Sequence, residues 1–137
     1  MDIIILGGDF MAIWGIGAYY ENIGDVSTQF IQNNIVCIGH SYYTASAIHE
    51  MFKSISAGDL VYIKKNFPPG SDLTIMAIGI ITSMDPYQIQ LGFTHDVKWL
   101  WIGPAQIASP SDKNNVRKNT LYREYNPNII NTIFTLI

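Results

Sequence analysis

Gly58-Asp59-Leu60-Val61-Tyr62-Ile63-Lys64-Lys65 is the stretch on which the fold turns. Gly-Asp is a turn pair, and the residues behind it alternate. Leu60, Tyr62 and Lys64 face one way; Val61, Ile63 and Lys65 face the other. A second run of β-forming residues spans 73–82. Between the two lies Asn66-Phe67-Pro68-Pro69-Gly70-Ser71-Asp72, built from turn residues. The whole reads as a β-hairpin with a long loop. Upstream, residues 44–55 switch to a helical period. Ala45, Ile48, Phe52 and Ile55 form one apolar stripe, with His49, Glu50 and Lys53 off it. That helix ends at Ala57-Gly58 and feeds the hairpin.

Further upstream, Ile35 to Ile38 is a short strand that exits abruptly through Gly39-His40-Ser41. A short helix through Phe30, Ile31 and Gln32 precedes it, with Asp25 or Ser27 as the cap. Residues 11–20 read as a strand carrying Gly15 and Gly17, which marks a bulge or a close approach by a ligand or another backbone. These two glycines are not a dinucleotide fingerprint, because the third glycine and the following helix are missing. Downstream, residues 87–93 alternate as one half-exposed strand. Residues 97–102 form another, stopped by Gly103-Pro104, with Trp99 and Trp101 on the same face. A polar loop follows over 109–119. Asn126 and Pro127 then open a helix whose buried stripe is Ile130, Ile133, Phe134 and Ile137. The pattern, with several strands, three helices and no βαβ alternation, is that of an α+β domain built on a strongly curved, mostly antiparallel sheet or small barrel.

A length of 137 residues fits a single domain over 1–137 that buries a core without disulfides or metals. Residues 1–10 are either its first strand or an N-terminal extension. With 48% apolar residues the chain is not a disordered one. A formal charge of −3 argues against indiscriminate binding to nucleic acid but leaves room for a local basic face. The single cysteine, Cys37, sits in an apolar run, so a buried, inert thiol and a reducing cytoplasmic home are expected. The N-terminus is too short and too acidic for a signal peptide, and no apolar run approaches bilayer length, so no membrane partner is expected.

The order of these pieces is specific: Trp14-Gly15 on an early strand, a short helix with Phe30, then Ile35-Val36-Cys37-Ile38-Gly39 and a helix. Gly58-Asp59-Leu60-Val61-Tyr62-Ile63-Lys64 and Ala77-Ile78-Gly79-Ile80-Ile81 come next, followed by Val97-Lys98-Trp99 and Thr120-Leu121-Tyr122 before the last helix. This order resembles the PUA-like superfamily, and within it the EVE/YTH-type modules attached to Mcr-type modification-dependent restriction systems. The resemblance spans about residues 12–137. It implies a PUA-like curved mixed or antiparallel β-barrel with two or three flanking helices. It also implies a module that reads a modified base, flipped from its helix into an aromatic cage, as an accessory in defence or RNA modification. His40 departs from the pattern, standing where an aromatic residue is expected. No nuclease or ATPase sequence is attached within this stretch, so a partner effector protein would supply such activity.

A flipped base loses stacking and needs π-faces and edge hydrogen bonds in return. The residues that the resemblance brings to such a pocket are Trp14, Tyr19, Tyr20, Tyr43 and Trp99 for stacking, His40 and Ser41 for edge contacts, and Lys64 at the mouth. Trp14 is equally well read as a core residue, and Tyr19-Tyr20 puts only one ring on each face. Lys113, Arg117, Lys118 and Arg123 cluster against the acidic balance of the chain and are the candidates for phosphate contact. No cofactor is called for. His49-Glu50 begins like a metalloprotease helix motif, but Lys53 occupies the place of the second histidine, so no metal site is expected. His40, His95, Asp59, Asp96 and Glu50 form no nucleophile–base–orienter set, and His95-Asp96 reads as a turn rather than a dyad. The expectation is a binder, not an enzyme. A protein-interaction or scaffolding module and a small hydrolase or nuclease are the alternatives.

Overall fold

The computed structural model describes residues 5–6, 9–40, 43–65, 72–107 and 116–137. Strands β1 (Ile5–Leu6) and β2 (Asp9–Phe10) pair with each other and, among the described residues, with no other strand. Then come β3 (Ile13–Gly17), the small hairpin β4 (Tyr19–Tyr20) and β5 (Gly24–Asp25), helix α1 (Ser27–Asn33) and β6 (Ile35–Ile38). Helix α2 (Ser46–Lys53) leads into β7 (Leu60–Lys65) and β8 (Leu73–Ile81). Strands β9 (Tyr87–Ile89) and β10 (Gly92–Ile107), a 3-10 turn (Val116–Lys118), β11 (Leu121–Arg123) and α3 (Pro127–Leu136) complete the chain.

The expected hairpin is formed by β7 and β8, antiparallel with Tyr62 opposite Ile78. It sits at the middle of a mixed sheet ordered β11-β3-β7-β8-β10-β6, with β9 also on β10, which curls into a half-barrel. Every described pairing in this sheet is antiparallel except β3 with β7. A parallel pair needs a crossover, and here α1, β6 and α2 supply it. The three helices among the described residues thus flank an α+β sheet.

Because β7 is central, both of its faces are covered and Leu60 to Ile63 are all buried. Its alternation sorts the molecule into two cores. Val61 and Ile63 join Trp14, Ile16, Ala77 and Ile81 on the inner face, against Phe30 of α1 and Phe52 of α2. Leu60 and Tyr62 join Ile13, Ile75, Ile78 and Tyr122 on the outer face, beneath Ile129 and Ile133 of α3. Each fully buried Ile, Leu or Phe contributes roughly 1.5–3 kcal/mol relative to exposure. Gly15 has a packing reason: a Cβ there would lie 2.2 Å from Cζ of the Tyr122 ring, which fills that space from the neighbouring strand. The close approach is therefore a side chain, not a ligand or a backbone.

Several local expectations are corrected. Residues 87–93 are not one strand, because the chain turns after Ile89 and β10 begins at Gly92. Gly103-Pro104 does not end the next strand, which continues to Ile107, and His95-Asp96 is strand, not turn. A register shift between Trp99 and Trp101 puts them on opposite faces, Trp99 with the inner core and Trp101 with the outer. His49 is buried rather than off the apolar stripe, stacked on Phe93 at 5.0 Å. Neither Asp25 nor Ser27 caps α1 through its side chain; Asp25 Oδ1 instead accepts from Ser27 N at 2.8 Å, just before the helix. Asn126 does cap α3, accepting from Asn128 N and Ile129 N. Ile133 is buried and Ile130 and Phe134 pack partly against the outer core, as expected, but Ile129 is buried too and Ile137 is exposed.

The parallel pair is fastened by one buried carboxylate. Asp59 Oδ1 accepts from Ala12 N at 3.1 Å, while Oδ2 accepts from Trp14 Nε1 and Ser56 N, each at 3.0 Å. Removing it strands three donors, two of them in buried bonds, and an unsatisfied buried donor costs about 1–3 kcal/mol. Asp59→Ala is therefore expected to lose about 3–5 kcal/mol in urea unfolding, against about 1–2 kcal/mol for Trp14→Phe, which removes one donor and leaves Ser56 N on the same oxygen. Equal, small losses in both variants would show that the carboxylate does not fasten the pair.

Candidate functional site

Strands β3 and β7 run parallel, so their carboxyl ends finish together, with Gly17 opposite Lys64. At this end the sheet opens into a cleft of about 430 Å³. Gly17, Ala18, Ile63 and Met76 line its apolar part, and Tyr19, Asp25, Ser27, Lys64 and Lys65 bring polar groups. The lining is sequence-encoded: strand residues end in small side chains at Gly17-Ala18 and in lysines at Lys64-Lys65. A register shift between Ile63 and Lys64 lets both lysines contribute. Tyr19 is 74% exposed, whereas Tyr20 turns the other way and packs on Gly39, its hydroxyl buried and without a partner among the described residues.

Lys64 Nζ donates to Arg117 O at 2.5 Å, and burial lowers its pKa from the ordinary lysine value. Lys65 Nζ lies 3.8 Å from Asp25 Oδ2. Burial pushes the Asp25 carboxyl up, but hydrogen bonds from Ser27 and the charge of Lys65 outweigh it and hold the pKa below its usual value. The cleft therefore carries two ammonium groups against one carboxylate. Its chemistry is that of a partly apolar slot with donors and one acceptor at the rim. Among the described residues no group of three or more His, Cys, Asp or Glu side chains is arranged to hold a metal, and no helix is long and apolar enough to cross a membrane.

Of the sequence candidates, Tyr19 and Lys64 line this cleft. Trp14 does not face a ligand: it is 4% exposed and its indole N–H is held by Asp59. Trp99 packs against the inner core, its Nε1 directed at Phe30 O at 3.4 Å. His40 is exposed after β6, where its carbonyl receives His49 Nε2 at 2.5 Å. Tyr43 is 97% exposed. Ser41 and Lys113 lie outside the described residues.

The basic cluster does not form one patch. Arg117 is 1% exposed and pairs with Glu124, its Nε 3.0 Å from Oε1 and its Nη2 2.5 Å from Oε2. Its guanidinium is therefore closed to phosphate. Tyr62 donates to Glu124 Oε1 at 2.6 Å, so the Tyr122 hydroxyl, 2.7 Å away, donates to Tyr62. Burial raises the pKa of both phenols and keeps them neutral. Lys118 is exposed, and the Arg123 guanidinium lies over the rings of Trp14 and Tyr125.

Two features escaped the sequence. Asp25 and Ser27 lie 36 to 40 positions from Ile63, Lys64 and Lys65 and 49 to 51 from Met76, which line the same cleft, and no local signal joins them. Ser83 and His95 meet in a chain of bonds: Asp96 N donates to Ser83 Oγ at 3.0 Å, and Ser83 Oγ lies 2.7 Å from His95 Nδ1. His95 Nε2 faces Phe52 O at 3.1 Å, and a carbonyl only accepts, so Nε2 carries the proton and Ser83 donates to Nδ1. The pair ties the end of α2 to β10. Cys37 is buried, as expected; burial raises its pKa to about 11, and Thr94 Oγ1 lies 3.0 Å from its Sγ. Compared with known proteins, the chain matches no family model and no curated protein.

Burial lowers the His95 pKa below 6.5 and outweighs the Phe52 carbonyl and the carboxylates of Asp96, Asp59 and Asp85, which act the other way. The unfolded imidazole binds its proton near 6.5 while the folded one does not, so the unfolded state holds more protons just below that pH. Stability from this residue is present above pH 6.5 and is lost as pH falls toward the folded value. In denaturant titrations between pH 7.5 and about 5, His95→Gln is expected to flatten that decline. An unchanged slope would remove His95 as its source.

Proposed function

We propose that this chain is a PUA-like nucleic-acid-binding module that takes a flipped, modified base into the cleft at the carboxyl ends of β3 and β7. The observation that carries the proposal is the cleft itself. Its volume of about 430 Å³ lies within the roughly 300–1,000 Å³ of small-ligand sites. Its lining combines an exposed tyrosine, the apolar side chains of Ala18, Ile63 and Met76, two lysines and an aspartate. A base is a flat apolar body with donors and acceptors on its edge, attached to an anionic backbone, and each part has a counterpart here.

The fold supports the reading too. The segments whose order resembles PUA-like modules are neighbours in one sheet. The Trp14 strand lies beside the Gly58-Asp59 strand, that beside the Ala77-Ile78-Gly79 strand, and then come Val97–Trp99 and Ile35–Ile38. The cage, however, differs from the expected one. Trp14 and Trp99 serve the core, so Tyr19 is the stacking group, Lys64 and Lys65 face the phosphates or the base edge, and Asp25 accepts from an exocyclic amine. His40, exposed beyond Gly39, does not line this cleft. A partner effector would act on what the module holds.

Short oligonucleotides with and without base modification, titrated across salt, test this. Stacking on an aromatic side chain is worth about 1–3 kcal/mol, so Tyr19→Ala should weaken binding roughly 5- to 150-fold with its melting temperature unchanged. Lys64→Gln should weaken it and reduce its salt dependence. Absence of binding by the unaltered chain at low salt would end the proposal.

A further inference from the structure

Several basic side chains are matched by carboxylates. Arg117 is neutralised by Glu124, Lys65 lies near Asp25, and Lys53 lies near Glu50. Arg123 is different. It stands on β11 opposite Trp14, with its guanidinium carbon 5.3 Å from the Trp14 ring centroid and 5.2 Å from that of Tyr125. Among the described residues no carboxylate pairs with it, and its Nε is buried without a hydrogen-bond partner. The adjacent carboxylate, Glu124, is consumed by Arg117, Tyr62 and Asn126 N. Trp14 is itself fixed by Asp59, so one of the two rings is held in place.

The guanidinium carbon lies within 5.3 Å of both ring centroids, and its N–H donors point out in its own plane. That geometry suits the two oxygens of a phosphodiester, which Arg meets edge-on with parallel hydrogen bonds. Tyr125 is 71% exposed, so its ring also offers a face to a base. Arg123 lies level with Trp14 on the same face as Ile16 and Ala18, and Gly17 at the cleft is three residues further along β3. At ~3.3 Å per strand residue this is roughly 10 Å, about three stacked nucleotide steps of ~3.4 Å.

We infer that Arg123 and Tyr125 form a second contact for a single-stranded nucleic-acid segment, Arg123 holding a phosphate and Tyr125 stacking a base, beside the nucleotide in the cleft. The buried Nε–H marks the site as incomplete in the isolated chain: a phosphate oxygen, admitted as the exposed Tyr125 ring moves onto a base, supplies its missing acceptor. The inference rests on the reading of the cleft proposed above and extends the bound segment beyond one nucleotide.

The test uses a fluorescein-labelled single-stranded dodecamer and, separately, a dinucleotide too short to span both places, titrated by anisotropy at several salt concentrations. Arg123→Gln should weaken dodecamer binding and lower the magnitude of its log–log salt slope by about 0.7, the value for one phosphate on a single strand. Tyr125→Ala should weaken it about fivefold or more with the slope unchanged. Arg123→Lys, which keeps the charge but loses the fork, should restore the slope and not the affinity. Dinucleotide binding should be unaffected by all three. Because Arg123 covers Trp14, thermal melts accompany each variant, and Tyr125→Ala, at an exposed position, keeps the test open if Arg123→Gln unfolds. Dodecamer affinity and slope that survive both Arg123→Gln and Tyr125→Ala, while Tyr19→Ala abolishes binding, would overturn this inference and leave the cleft. Failure of the unaltered chain to bind either probe would overturn both.

Discussion

A single buried carboxylate holds together the two strands from which the rest is built. Asp59 sits at the entrance to β7 and gathers N–H groups from Ala12, Trp14 and Ser56. Strands β3 and β7 are parallel, so no tight turn can set their register, and the crossover between them is long. The carboxylate supplies a local fastening where the chain provides none. It fixes the start of the pair, and the pair then fixes where its far ends lie, with Gly17 beside Lys64 at the cleft. An ionised carboxylate accepting several N–H bonds is an effective buried anchor because each bond is charge-assisted.

The second polar cluster serves the outer face. Arg117, Glu124, Tyr62 and Tyr122 are almost wholly buried, and every bond among them runs between elements that meet only in the folded state. A buried ion pair adds little net stability over an apolar replacement, but losing one member leaves a charge without compensation. The cluster therefore specifies arrangement more than it adds stability: it holds edge strand β11 on β3 and seats the 3-10 turn beneath Lys64, whose ammonium reaches the Arg117 carbonyl. One residue thus gives its side chain to the core and its backbone to the cleft.

The basic residues that look alike in sequence divide into three environments. Arg117 is interior, Arg123 lies over the Trp14 and Tyr125 rings, and Lys64 and Lys65 line the cleft. Their physical consequences differ accordingly. A charge paired in the interior contributes nothing to the surface field, a stacked guanidinium gives direction to whatever it binds, and ammonium groups at a rim attract without orienting. The negative formal charge of the chain is compatible with nucleic-acid binding only through such local placement.

Local chemistry made much of the fold legible. The Gly58-Asp59 turn, the alternation through Ile63, the amphipathic helix before it and the Asn126 cap each act within a few residues, and each is where the pattern puts it. The curled sheet with flanking helices followed from counting those pieces. What tertiary structure alone decided were the partners. The Trp14 N–H finds Asp59 45 positions away, and Tyr62 finds Glu124 62 positions away. Arg117 lies only seven residues from Glu124, yet their pairing depends on both being buried under the outer face, which no spacing reveals. The irregular step between Trp99 and Trp101 reverses a face that strict alternation would have kept, because the curvature of the sheet is accommodated there. Periodicity determines which side of an element is apolar; only packing determines what a polar or aromatic side chain meets on that side, and hence whether it is a fastening or a binding surface.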